Sequence, residues 1–208
     1  MRGRIAAPAG ADPPARASQI SCTRDDVDGA RADCERALAL ARGSHDPIWL
    51  GDALGEVVEI YALADLLDEA RSVADELLAL GPEPALEVLD SLALVADRIG
   101  LDKGQLERSL LPLMPAHVIW RRVAELLLAG EFGELAELAA EIDLPDLEAE
   151  ARLQAAEALL REERREEAGA EARKALAFFR SVRATRFVRE AESILAETES
   201  AVRSTGSR

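Results

Sequence analysis

Helix pairs recur along this chain about every 33 to 40 residues, marked by small or apolar residues at Ala30, Ala70, Leu135 and Ala168. A repeat of that length predicts a helical solenoid. Each pair leaves an apolar flank that its neighbour must cover, and the product is a curved binding surface with no intrinsic catalytic pocket. The expected fold is therefore all-α, a right-handed α-α superhelix of about five helix pairs closed by a C-terminal capping helix.

Composition agrees with close helix packing. Hydrophobic residues make up 49% of the 208 residues but aromatics only 3%, so helices meet through Ala and Leu rather than large rings. Forty acidic against 25 basic residues give a net charge of -15. Such a surface repels phosphate backbones and anionic membranes, so neither a nucleic acid nor a membrane is expected as partner. The densest arginine cluster, Arg161, Arg164 and Arg165, is interleaved with Glu162, Glu163, Glu166 and Glu167 and reads as a solvated helix face. Pro8, Gly10, Asp12, Pro13 and Pro14 break up the segment where an export signal would need an apolar run, and no stretch is apolar enough to span a bilayer. Cys22 and Cys34 form no disulfide framework. The expected compartment is the reducing cytoplasm.

Residues 1–24 carry no apolar period and read as a disordered tail, residues 25–200 as the repeat domain, and residues 201–208 as a second disordered tail. Asp25 or Asp26 can cap a first helix that ends near Gly43, with Cys34 as a small hydrophobe on its apolar stripe. Asp46 and Pro47 open the next helix, to about Ala64, and its partner runs from Leu67 to Leu80 before Gly81-Pro82. A third pair is expected over Pro84–Ile99 and Gln105–Leu113, with a kinked connection at 111–116. A fourth spans Ala116–Ala129 and Phe132–Ile142. The fifth runs from Asp146 to Glu163 and from Arg165 to Val182, with matching stripes Ala149/Leu153/Ala156/Leu160 and Ala168/Ala172/Ala175/Phe179 that should pack antiparallel. A last helix from Thr185 to about Ser200 is the cap.

Ala156, Ala168 and Ala175 put small residues where the two helices of a pair approach most closely, and Tyr61 and Ala70 supply an aromatic and a small position in the second pair. The array resembles degenerate tetratricopeptide repeats over roughly residues 25–200. The stretch Ala175-Leu-Ala-Phe-Phe-Arg-Ser-Val-Arg-Ala-Thr-Arg-Phe-Val-Arg-Glu-Ala-Glu-Ser-Ile-Leu-Ala196 is similar to the closing helix pair of large actinobacterial regulators. Those proteins carry an adenylate/guanylate cyclase or a LuxR-type transcriptional-regulator module beside an AAA-type (STAND) signalling ATPase, and end in a tetratricopeptide array. The resemblance implies signal transduction and a protein partner, with an ATPase or cyclase domain as one candidate. Arg183 departs from the glycine usual before Ala-Thr-Arg. A side chain there disfavours a left-handed turn and is expected to extend the helix through Val182.

Chemistry is sparse. There is no phosphate-binding Gly-x-x-x-x-Gly-Lys-Ser/Thr sequence, and Gly51 and Gly55 sit within a helix. His45 and His117 lack the i+3 or i+4 ligand that would build a metal site, and both lie beside expected helix starts. No catalytic residue, metal or cofactor is assigned, and the chain is expected not to be an enzyme. Trp49 and Trp120 each begin the first helix of a pair. Packing in the core or a turn is one reading of them; the other is that they line an inner groove, where aromatic anchors dominate recognition. The candidate partner-binding groove is Trp49, Tyr61, Trp120, Arg121 and Arg122, the arginines supplying carboxylate recognition or only outer-face charge. The expected function is that of a non-catalytic protein-interaction or regulatory module. The alternatives are a remnant of a multidomain cyclase/ATPase, and a small helical enzyme.

Overall fold

A computed structural model of the chain describes residues 27–205. The tail expected over 1–24, the caps at Asp25 and Asp26, and Cys22 lie outside the described residues. Eleven α-helices and a 3-10 turn, with no strand, make up the secondary structure among the described residues. They fall into two compact units, Met1–Leu113 and Met114–Arg208.

The first unit holds α1 (Val27–Ser44), α2 (Pro47–Leu63), α3 (Leu67–Ala79), α4 (Pro82–Glu87), α5 (Leu89–Ile99), α6 (Lys103–Ser109) and the 3-10 turn Leu111–Leu113. Its hub is α2. The Asp46 carboxylate accepts hydrogen bonds from the Ile48 and Trp49 backbone N–H groups, at 3.0 and 3.3 Å, and Pro47 fills a first-turn site where no donor is needed. Beyond that turn α2 is apolar except for one stripe, Asp52, Glu56 and Glu59, as a helix packed against several others should be. It packs on α1, α3, α4 and α5. Ion pairs Arg31–Glu69 and Arg42–Glu76 tie α1 to α3 in the same direction, so α1 and α3 run parallel with α2 between them. Cys34 is fully buried on α1.

One helix was expected over 84–99; the structure has two, α4 starting earlier at Pro82 and the break falling at Val88, where φ is -126°. The cause is tertiary. A Cβ on Gly55 would lie 2.6 Å from the Val88 Cβ, and one on Gly51 would lie 2.6 Å from the Pro84 Cβ. The missing side chains one turn apart on α2 let α4 and the α4–α5 step come into backbone range. The next helix is also shorter than expected: Asp102 caps it by accepting from the Gln105 N–H at 3.0 Å, and after Ser109 the chain tightens into the 3-10 turn around Pro112.

The second unit holds α7 (Ile119–Ala129), α8 (Phe132–Glu141), α9 (Pro145–Arg161), α10 (Arg165–Val182) and α11 (Thr185–Thr205). Each packs on the next, and α9 also touches α11. The alanine seams meet as expected: Ala149, Ala156, Ala168, Ala172 and Ala175 are all buried. Phe179 stacks on Phe187 at 4.7 Å, fixing α11 on α10. Residues 115–118 form a turn, so α7 starts three residues later than expected. The tail expected from residue 201 is helical through Thr205.

Six turns close alike. Asp65, Gly100, Gly130, Asp143, Glu163 and Arg183 take positive φ. In each case the next residue's N–H reaches back five positions: Leu66 to the Tyr61 carbonyl at 2.9 Å, Leu144 to Ala139 at 2.9 Å, Ala184 to Phe179 at 3.0 Å, and likewise for the others. This is the Schellman closure. Only two of the six are glycine. The expectation that Arg183 avoids the left-handed region is therefore corrected: α10 does run through Val182, but Arg183 follows at φ 59°, ψ 35°. Two turn hydrogen bonds and the burial of Ala184 outweigh the Cβ strain.

Gly55→Ala should destabilise the first unit by about 1–3 kcal/mol, because the clash at Val88 exceeds the helix-propensity gain. Gly133→Ala, with nothing within 4 Å of its Cβ, should stabilise by about 0.5 kcal/mol. Urea denaturation of both variants measures this pair; equal effects would remove the packing role from Gly55. Arg183→Gly should raise stability by about 0.5–1 kcal/mol and Arg183→Val lower it, since only the first relieves the strain. Thermal unfolding followed by circular dichroism gives the order.

Candidate binding surfaces

The five residues singled out from sequence divide between the two units. In the first, Trp49 stands in the opening turn of α2, 47% exposed, while Tyr61 is 6% exposed. Tyr61 is thus a core residue of α2 and lines no open groove; burial pushes its hydroxyl pKa up. In the second unit, Trp120 is 43% exposed beside the similarly open Ile119. Its neighbours are engaged within the chain. Arg121 donates to Glu125 at 3.0 Å and to the Met114 carbonyl at 2.8 Å, clamping the turn before α7 to the helix. Arg122 donates to Glu134 of α8 at 2.9 Å and lies 3.7 Å from Glu125. Both guanidinium groups already hold carboxylates of their own chain.

The histidines sit at turns. His45 has positive φ between α1 and α2, and its Nδ1 lies 3.0 Å from the Gly43 carbonyl oxygen, which places it at the end of α1. His117 is exposed in the turn before α7. Among the described residues, no group of three or more His, Cys, Asp or Glu side chains is arranged to hold a metal ion, and no helix is long and apolar enough to cross a membrane.

Each unit has one cleft of note. A cleft of about 410 Å³ lies among α3, α4 and α6, with an apolar floor that includes Leu78, Leu106 and Leu110. Arg71 at its rim is tied to Asp75 at 3.0 Å and to the Gly100 carbonyl, so its charge is compensated. A shallower cleft of about 370 Å³ lies between α7 and α8, lined by Arg122, Leu126, Gly133, Leu138 and the α8 carboxylates Glu134, Glu137 and Glu141. Near the first cleft's elements, Asp90 opens α5 half-buried; burial raises its pKa against the hydrogen bonds from its own and the Ser91 N–H groups.

One polar feature went unread in the sequence. Arg152, 8% exposed on α9, donates to Glu148 of its own helix and to Glu171 of α10, both at 2.8 Å, and reaches Glu137 of α8 at 3.4 Å. It joins three helices. Partial burial works to raise the Glu171 carboxyl, but hydrogen bonds from Lys174 and Arg152 outweigh it and leave the pKa below the ordinary value. On Arg152, burial works to lower the pKa and the Glu171 and Glu148 hydrogen bonds outweigh it, so the guanidinium stays charged. A sequence signal existed: an arginine between Ala151 and Leu153 on the alanine-rich α9, with Glu at i-4.

A depressed carboxyl pKa stabilises the fold above its unfolded value, and that contribution is lost as pH falls through the folded value. Glu171→Gln should therefore cost about 1 kcal/mol at pH 7, a gap that closes in acid as the Glu171 carboxyl, held below its ordinary pKa, takes up its proton. Arg152→Ala should cost more, about 2–3 kcal/mol at pH 7, because it removes the link among α8, α9 and α10 and leaves the partly buried Glu148 without its cation, while Glu171 keeps Lys174. Denaturation midpoints from pH 3 to 7 measure both; a gap for Glu171→Gln that is constant with pH would take the charge out of the account.

No protein-family model matches the chain, and neither does any curated protein or solved structure.

Proposed function

We propose that this chain is a non-catalytic protein-interaction module, a tetratricopeptide-like array that continues as a right-handed superhelix and takes a protein or peptide as its partner. The observation that carries this reading is the exposure of both tryptophans. Core-forming rings bury themselves, yet Trp49 and Trp120 each remain more than two-fifths exposed in the first turn of a helix. Exposed indoles on rigid helices are the side chains that most often anchor a partner. The recurrent Schellman closure supports a repeat, since one turn geometry used six times sets successive helices side by side.

The similarity of residues 175–196 to the closing helix pair of cyclase- and ATPase-bearing regulators supports a regulatory role of the same kind. It also favours a second reading, that the chain is a remnant of such a multidomain protein. An immunoblot tests a longer origin: a band at 22.4 kDa fits a free module or a remnant, which co-purification of a partner then separates, and a far larger band means the chain is the array of an intact multidomain protein.

Tagged full-length chain should co-purify a defined protein from native lysate. Trp49→Ala or Trp120→Ala should reduce its recovery at least tenfold while shifting the melting temperature by less than about 2 °C. Equal recovery from wild type and both variants would return the indoles to passive surface and remove the main support for the module.

A further inference from the structure

We infer that the α7–α8 cleft is a docking groove for a cationic amphipathic segment of a protein partner. This names the partner's chemistry and rests on the interaction-module reading above.

The groove is apolar at its floor and acidic at its rim. Leu126 is buried beneath it and Leu138 half-buried along it. At Gly133 no atom lies within 4 Å of where a Cβ would stand, so that end is open to an incoming side chain. Glu134, Glu137 and Glu141 follow at i, i+3 and i+7 on α8 and share a face. Three carboxylates share this rim with one cation, Arg122, so the rim keeps a net negative charge. Glu134 pairs with Arg122; Glu137 only reaches Arg152, at 3.4 Å, and is 71% exposed; Glu141 has no ion pair among the described residues.

An anionic or neutral segment would lose the rim and gain only the shallow floor. A segment with apolar residues along one side and Lys or Arg flanking them matches both. The net charge of -15 adds long-range attraction for such a partner and raises its encounter rate.

The experiment is fluorescence anisotropy on the full chain with a labelled Leu/Lys amphipathic peptide of about 14 residues and its Leu/Glu counterpart. The Leu/Lys probe should bind saturably and the Leu/Glu probe should not. Gly133→Trp, which fills the open end, should weaken binding at least tenfold, and Glu141→Lys at least fivefold. Glu107→Lys on α6, an equal change of net charge elsewhere, should change it less than twofold. Gly133→Leu serves in place of the tryptophan variant if the latter melts early.

No binding of the Leu/Lys probe overturns the assignment. So does equal weakening by Glu141→Lys and Glu107→Lys, which would mean attraction to bulk charge alone. If the cleft variants bind the probe like wild type while co-purification still depends on Trp120, the groove falls and the module reading stands. Specific probe binding with no co-purified protein would do the reverse.

Discussion

Short turns force consecutive helices to lie side by side, and the small side chains at their crossings decide how close they come. In the first unit this constraint is concentrated on α2, where Gly51 and Gly55 leave room for Pro84 and Val88 at distances a Cβ would forbid. In the second it is spread along α9 and α10, where alanines at 149, 156, 168, 172 and 175 are buried against one another. Both solutions suit a chain with few aromatic residues. Dispersion between backbones and methyl groups, not the filling of wide gaps by rings, supplies the packing. The exception is the Phe179–Phe187 stack, which seats the final helix.

Close packing needs turns that reverse direction without using length. The Schellman closure does this with one left-handed residue and satisfies two helix-end carbonyls as it goes. Its use at Asp65, Asp143, Glu163 and Arg183 shows that the turn is dictated by the helices on either side and not by a glycine at its centre. Strain at one residue is tolerated because the flanking apolar residues, such as Leu66 and Ala184, must reach the helix interface.

Local signals were legible and tertiary ones were not. The Asp46-Pro47 start, the α7–α8 turn at Gly130 and the full span of α10 follow from capping chemistry and apolar period, which one stretch of sequence contains. The break at Val88 does not, since its cause is Gly55, thirty-three residues earlier and on another helix. Arg152 was missed for the same reason: its partners arrive from α8 and α10, and an isolated helix shows only Glu148. Of the site residues, the exposed indoles were flagged by scarcity and position, whereas Tyr61 was not separable from them. The exposed stripe of α2 runs through Trp49, Asp52 and Glu56, and Tyr61 lies off it among the neighbouring helices.

Charge is distributed unevenly in consequence. Arginines that lie at helix interfaces, Arg121 and Arg152, are committed to carboxylates or carbonyls of their own chain. Arg31 and Arg42 pair in the same way between α1 and α3 of the first unit, and Arg98 of α5 with Asp65 in the α2–α3 turn. With 25 basic residues set against 40 acidic ones, internal pairing of the cations leaves the excess on the acidic side. In the proposed interaction module, carboxylates are the groups that would attract a partner over distance, and the exposed indoles the contacts that would hold it. Steering by one kind of group and anchoring by another is a division of labour that a surface without a deep pocket requires, because neither exposed ion pairs nor isolated apolar contacts bind firmly alone.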